Sequence, residues 1–278
     1  MRFNIRCDME GVTGVTSYEQ VTLGNPRYEE SRQALTRELL AVIEGIRSVA
    51  PGAEVVIFDE HMDGRNADVA QLPEGVAYVS GKPAYDNDDP GLIKGADAML
   101  LVGFHSKAGT RGALLPHTYE HDILDLQVNG VSLGEVGVEA AIAGEAGVPT
   151  IFYSGDDAGG EEIAQLIPGI VRVAVKRSLG ETAALCLGGT EVLRLLREQA
   201  AAAVVKRSAI EPFRVQPPVT LRGVLREGAY RDALRAIAPG AFDASGWLRI
   251  DAPSLSEAYA TYSAWRAEAS ARVRRVAR

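Results

Sequence analysis

Cysteine is scarce in this chain: Cys7 and Cys186 are the only two among 278 residues. Two distant thiols build neither a disulfide framework nor a four-cysteine zinc site, so a reducing compartment is the default. No apolar run approaches the roughly 18 residues that span a bilayer, and Asp8 and Glu10 sit where a signal peptide needs about 7–15 apolar residues. The expectation is a cytoplasmic protein without a membrane partner. Also missing are the phosphate loop G-x-x-x-x-G-K-[ST], a G-x-G-x-x-G opening a helix after the first strand, and the G-x-S-x-G nucleophile elbow. Their absence removes the usual signatures of nucleotide binding and of serine hydrolases. Histidine is rare as well: His61, His105, His117 and His121 are the full set, and none lies beyond residue 121.

What is present is a globular composition, 46% hydrophobic and 24% charged, long enough for one large core with a smaller appendage. The net charge of −8 is unevenly placed, because residues 1–139 hold 22 acidic and 11 basic side chains while the remainder holds 15 and 18. All the histidines fall in the acidic half. Imidazoles among carboxylates suit a divalent cation better than a nucleic-acid backbone, so no nucleic-acid partner is expected. The arginines at 272, 274, 275 and 278 read as a solvated helix end favoured by the C-terminal dipole.

Apolar, β-branched runs alternate with helical patterns, which predicts an α/β fold: a mostly parallel central sheet flanked by helices, with a smaller C-terminal α+β subdomain. Strands are expected at 3–7, 54–59, 76–80, 98–104, 148–154 and 170–175, and helices at 27–49, 133–147 and 190–205. Asn129-Gly130, between alternating apolar positions in 123–131, is a hairpin signal. Three prolines in 211–218 mark a linker or edge segment, so the division is a core over 1–207 and a subdomain over 208–278, the latter available for assembly. In the subdomain, strands are expected at 219–225 and 247–250 and helices near 230–237 and from 254 onward. Residues 86–91 lack the ligand spacing of a calcium loop and read as a turn.

In open parallel sheets, ligands gather outside the carboxyl ends of the strands. The first strand runs into Asp8-Met9-Glu10-Gly11, the second into Asp59-Glu60-His61, and a buried one into Gly103-Phe104-His105; Glu135 opens a helix after the hairpin. Asp8, Glu10, His61, His105 and Glu135 would thus meet at one sheet edge. Their mixture of carboxylate and imidazole suits Zn²⁺, Mn²⁺ or Co²⁺, and two ions would need a bridging carboxylate, for which Asp8 or Glu10 would serve. Each residue also has a plainer reading: Asp8 or Asp59 capping a turn, Glu135 complementing a helix dipole, His105 hydrogen-bonded near the core. His117, after Leu115-Pro116, belongs to a loop over the site and is a candidate acid, base or electrophile. His121 reads as a surface residue, Cys7 as an inert thiol, and the segment Ser154 to Gly160, after the strand at 148–154, as a helix cap in preference to a part of the site.

The order and spacing of Asp8-Met9-Glu10-Gly11, Asp59-Glu60-His61, Gly103-Phe104-His105, Gly134-Glu135-Val136-Gly137 and later Gly155-Asp156-Asp157 and Ala174-Val175-Lys176 resemble the DppA-type D-aminopeptidases, a family of dinuclear zinc peptidases. The resemblance spans nearly the whole chain. It implies that Asp8, Glu10, His61, His105 and Glu135 hold two zinc ions, with Asp8 bridging, and that His117 is catalytic. It further implies release of N-terminal D-amino acids from short peptides and self-association into a decamer of two pentameric rings. Arg6 stands where the family signature has serine. Alternatives to the peptidase are another two-metal hydrolase, such as a phosphoesterase or cell-wall peptide amidase, and a non-catalytic metal-dependent binding module.

Overall fold

The structure, a computed structural model, describes residues 1–83 and 92–276; the turn expected at 86–91 lies outside them. The main sheet has seven strands: β1 (Arg2–Cys7), β2 (Glu54–Asp59), β3 (Val76–Val79), β4 (Ala98–Phe104), β7 (Thr150–Asp156), β8 (Val171–Gly180) and β9 (Ala183–Cys186). Their spatial order is β3-β2-β1-β4-β7-β8-β9. All neighbours are parallel except β9, which folds back antiparallel on β8 as an edge. The fold class expected from the alternation of elements is therefore the one observed. Every residue of β4 and of β7 is buried, as expected of strands covered on both faces; β4 is apolar throughout, while β7 also buries Thr150, Ser154 and Asp156.

Helix α1 (Tyr28–Val49) presents Leu35, Leu39, Val42, Ile43 and Ile46 to the core at helical spacing and ends at Ala50, ahead of Pro51-Gly52. It packs on α4 (Gly189–Lys206), which in turn covers β7 and β8. Helix α2 (Glu135–Glu145) is buried on nearly all sides and packs on β4, β7 and α3 (Asp157–Leu166). The side chain of Asp156 caps α3 by accepting from the Gly159 amide at 3.2 Å, as the cap reading of that segment requires.

A second, antiparallel sheet has the order β11-β10-β5-β6, from β5 (Ile123–Val128), β6 (Val131–Ser132), β10 (Val219–Leu225) and β11 (Leu248–Ala252). The β5–β6 turn is Asn129-Gly130 with φ of 50° and 81°, the left-handed pair that a two-residue hairpin requires. This sheet takes two strands from within 1–207 and two from beyond 208. Helix α5 (Ala229–Ile237) packs against α6 (Leu255–Val276), and α6 lies across β10, β11 and α2. The strand expected to finish at 175 runs on to Gly180 and returns as β9, a reversal that its sequence pattern did not announce. Among the described residues no helix is long and apolar enough to cross a membrane.

Candidate metal centre

Chain order and spatial order differ at the middle of the sheet, where β1 lies between β2 and β4. Successive strands move outward from β1 to β3, and β4 then pairs on the other side of β1. This is the reversal at which open α/β sheets form a crevice. It sets Asp8, just past β1, between His61, past β2, and His105, past β4. The chain leaving β1 must run close beside β4: the Gly11 amide donates to the Gly103 carbonyl at 2.8 Å. A β-carbon on Gly11 would lie 1.9 Å from the Phe104 carbonyl oxygen, so glycine alone permits the approach that brings Glu10 inward.

All five expected ligands come together. Asp8 Oδ1 is 3.1 Å from His61 Nδ1, and Asp8 Oδ2 is 3.3 Å from His105 Nε2, so one carboxylate faces both imidazoles. Glu10 Oε2 is 3.1 Å from His61 Nδ1, and Glu135 Oε1 is 3.5 Å from His105 Nε2. His117 joins them, its Nε2 lying 4.0 Å from both Glu10 Oε1 and Glu135 Oε1. Its ring stacks on His105 with centroids 4.0 Å apart. Two overlapping groups have donor atoms within 4.8 Å of one another: Asp8, Glu10 and His105, and His105, His117 and Glu135.

Each of these imidazoles is tied at its other nitrogen to a backbone carbonyl. His61 Nε2 faces the Val21 carbonyl at 2.8 Å, His105 Nδ1 that of Ser106 at 2.9 Å, and His117 Nδ1 that of Leu115 at 3.0 Å. A carbonyl accepts only, so those nitrogens carry the hydrogen, and the neutral ring then directs a lone pair at carboxylate oxygens. Lone pair against anion is repulsive unless a proton or a metal cation intervenes. Without a metal, burial alone would depress His61, but Glu10 and Asp8 outweigh it and hold the imidazole well above its usual range. Burial likewise opposes protonation of His105, and Asp8 and Glu135 override it. Burial would raise Asp8 and Glu135, whereas His105 and, for Asp8, His61 hold both carboxyls low. Glu10 Oε2 and His105 Nε2 are buried with no hydrogen-bond partner. Unpartnered donor atoms, a mixed nitrogen and oxygen set and carbonyl-anchored imidazoles fit a borderline divalent cation.

Residues around the cluster hold its loops in place; Asp59 does so as the turn cap its position suggested, whereas the parts of Lys176 and Glu38 had no signal in the sequence. The buried Lys176 ammonium donates to the carbonyls of Glu10, Val12 (2.8 Å) and Val15 (2.7 Å), and Glu38 accepts from the Thr13 amide at 2.9 Å. Together they pin the loop that carries Glu10. Asp59 is fully buried and accepts from the His61 amide (3.1 Å) and from Asn66, which makes it the organiser of the turn bearing His61. Arg6 forms ion pairs with Glu60 (2.6 Å) and the buried Glu139 (3.3 Å), linking β1 to α2 one turn after Glu135. Cys7 is buried, and burial followed by the charges of Asp59 and Asp8 pushes its thiol up, so it is inert. His121 is exposed as expected, yet its ring sits 5.0 Å from His117 and 4.6 Å from Tyr18, which places it next to the cluster on its solvent side. Only the folded loop brings Tyr18 and His121 together; no spacing rule connects them.

Three comparisons bear on this arrangement. A family model described as D-aminopeptidase matches residues 1–264. A D-aminopeptidase of Bacillus subtilis (strain 168) is 29% identical over 218 residues, 77% of each chain. The solved structure of a Zn-dependent D-aminopeptidase, DppA from Bacillus subtilis, described as a self-compartmentalizing protease, superposes with a TM-score of 0.88 at 25% identity, covering 97% of this chain and 98% of the other.

Proposed function

Since the chain belongs to the D-aminopeptidase family, we propose that it is a zinc-dependent aminopeptidase acting on short peptides with an N-terminal D-residue. One observation carries the reading: three imidazoles, each hydrogen-bonded through one nitrogen to a backbone carbonyl, turn the other toward Asp8, Glu10 and Glu135. Asp8, Glu10, His61, His105 and Glu135 would hold two zinc ions, with Asp8 shared because its two oxygens face different histidines. Mn²⁺ or Co²⁺ could replace zinc in such a donor set. When bound, the ions supply Lewis-acid polarisation of the scissile carbonyl and a water acidic enough to attack at neutral pH.

His117 supplies the proton chemistry. The Leu115 carbonyl holds its hydrogen on Nδ1, leaving Nε2 as a base that faces the space between Glu10 and Glu135. From there Nε2 can take a proton from the attacking water and return it to the leaving amine. Stacking on His105 keeps the ring plane fixed through both transfers. Tyr18 and His121 form the wall past which a peptide enters. Likeness to the self-compartmentalizing relative supports assembly into an oligomer; the decamer of two pentameric rings, the cytoplasmic location and a part for residues 208–278 in assembly belong to this same proposal and rest on the family resemblance.

The test is hydrolysis by the zinc-loaded protein of D-Ala and L-Ala dipeptides, with nitrophenyl phosphate alongside. Release of D-alanine in preference to L-alanine is expected. Phosphate release without peptide cleavage would replace the peptidase by a phosphoesterase, and inertness toward all three would leave a binding module.

A further inference from the structure

The segment that carries His117 is bent in an unfavourable way. Leu115 and Tyr119, neither a glycine, have φ of 47° and 60°. Across Tyr119 the Glu120 amide donates to the Thr118 carbonyl at 2.8 Å, the three-residue γ-turn whose positive-φ form is rare and strained. Such a residue persists only where its surroundings over-determine it. The turn has a consequence at the site: it points the Tyr119 amide at Glu135 Oε1, 2.7 Å away. That oxygen is the one facing His105 and His117.

One face of α6 surrounds the turn. The Arg266 guanidinium lies 4.6 Å from the centroid of the Tyr119 ring, within the range of a cation–π contact. Tyr259 and Tyr262, both buried, place their rings 5.8 Å and 6.1 Å from the same ring. Ser270 Oγ donates to Glu120 Oε1 at 2.7 Å. Positions 259, 262, 266 and 270 recur at intervals of three and four, which is the spacing of a single helix face. On the other side, the Glu181 carbonyl accepts from the Leu115 amide at 3.0 Å and Ser178 Oγ from the Leu114 amide at 3.2 Å. The loop is thus gripped at both ends: the Glu181 carbonyl holds Leu115, and the α6 grip falls on Tyr119, the other positive-φ residue.

We propose that Arg266, supported by Tyr259, Tyr262 and Ser270, is a positioning residue: it holds Tyr119 in its γ-turn, and the turn fixes the Glu135 carboxylate and the His117 ring for the reaction. The catalytic consequence rests on the peptidase reading above; the structural one does not. The test therefore has two arms, run on the full chain as wild type and as Arg266→Met, Arg266→Lys and Ser270→Ala. In the metal-free protein, hydrogen exchange of the Tyr119 amide should quicken by about tenfold or more in Arg266→Met while β4 and β7 stay protected, and Arg266→Lys should keep most of the protection. In the zinc-loaded enzyme, kcat of Arg266→Met should drop about tenfold with KM held within about twofold.

Unchanged exchange at Tyr119 in Arg266→Met would overturn the proposal, and so would an even acceleration over the whole sheet, which marks a residue of global stability. If Arg266→Met does not fold, Ser270→Ala decides in its place, since it removes one hydroxyl: faster exchange confined to the turn supports the proposal and unaltered exchange refutes it. Failure of the wild type to cleave D-peptides would count against the peptidase reading and leave the exchange result standing by itself.

Discussion

Zinc uptake by this chain should release protons, and the histidines tell how many. Without metal, His61 is held well above the usual imidazole range because Glu10 and Asp8 overcome the opposing effect of burial. His105 is held up in the same way by Asp8 and Glu135. Both are therefore protonated at neutral pH on the nitrogen that a metal would take, whereas Asp8 and Glu135, held low, have no proton to give. Two protons displaced at about 1.36 kcal/mol per proton and pH unit strengthen the uptake of both ions together by about 2.7 kcal/mol, roughly a hundredfold in all or about tenfold for each ion, for each unit of rising pH. Titration calorimetry in buffers of different ionisation heat measures the release directly. About two protons are expected for wild type and about one for His105→Asn. Release of fewer than about half a proton, with affinity flat between about pH 6.5 and 7.5, would refute the assignment of these nitrogens. The stability consequence has a definite sign. A histidine whose folded pKa is raised stabilises the metal-free fold fully below its unfolded value near about 6.5 and loses that contribution as pH climbs through the folded value. Zinc removes the loss, so the zinc-induced rise in Tm should grow with pH.

Two further outcomes follow from single side chains. His117→Ala should retain its metal and lose about two to four orders of magnitude in kcat, because only the proton carrier is removed; metal analysis beside turnover checks it, and undiminished activity in the metal-loaded variant removes His117 from the mechanism. Arg6→Ser strips the guanidinium from buried Glu139, whose carboxyl is already pushed up to about 7 by burial, with Arg6 opposing. A carboxyl raised in the fold loses stability as pH rises through that value, so the variant should be weaker by about 3–5 kcal/mol at alkaline pH and less affected in acid, with Glu139→Gln restoring most of the difference. Denaturant unfolding on both sides of neutrality measures this, and an equal loss at both would exclude Glu139 as the cause.

Much of the centre was legible before any fold was known, for a physical reason. Parallel strands covered on both faces are mostly apolar, so the cluster of polar residues that follows them, Asp8 and Glu10, His61, His105, stands out, although β1 also buries Asn4 and Arg6. The hairpin was legible because Asn129-Gly130 satisfies two left-handed φ values at once. The β8–β9 reversal was not, since its turn at 181–182 is Glu-Thr and its edge strand only half-buried. His121 could be judged exposed from its neighbours, but not placed beside Tyr18, more than a hundred residues earlier in the chain.

By itself, then, the sequence determined which buried strands run into a carboxylate or an imidazole, which chemistry such donor atoms suit, and which family their spacing belongs to; these are local properties of composition and periodicity. Tertiary structure alone decided that β1 lies between β2 and β4, so that Asp8 faces His61 with one oxygen and His105 with the other. Strand order is set by which pairings bury the most apolar surface across crossovers of unlike length, and no single segment encodes it. The same holds for the grip of α6 on Tyr119, where residues 259–270 meet residues 119–120 because both border one core.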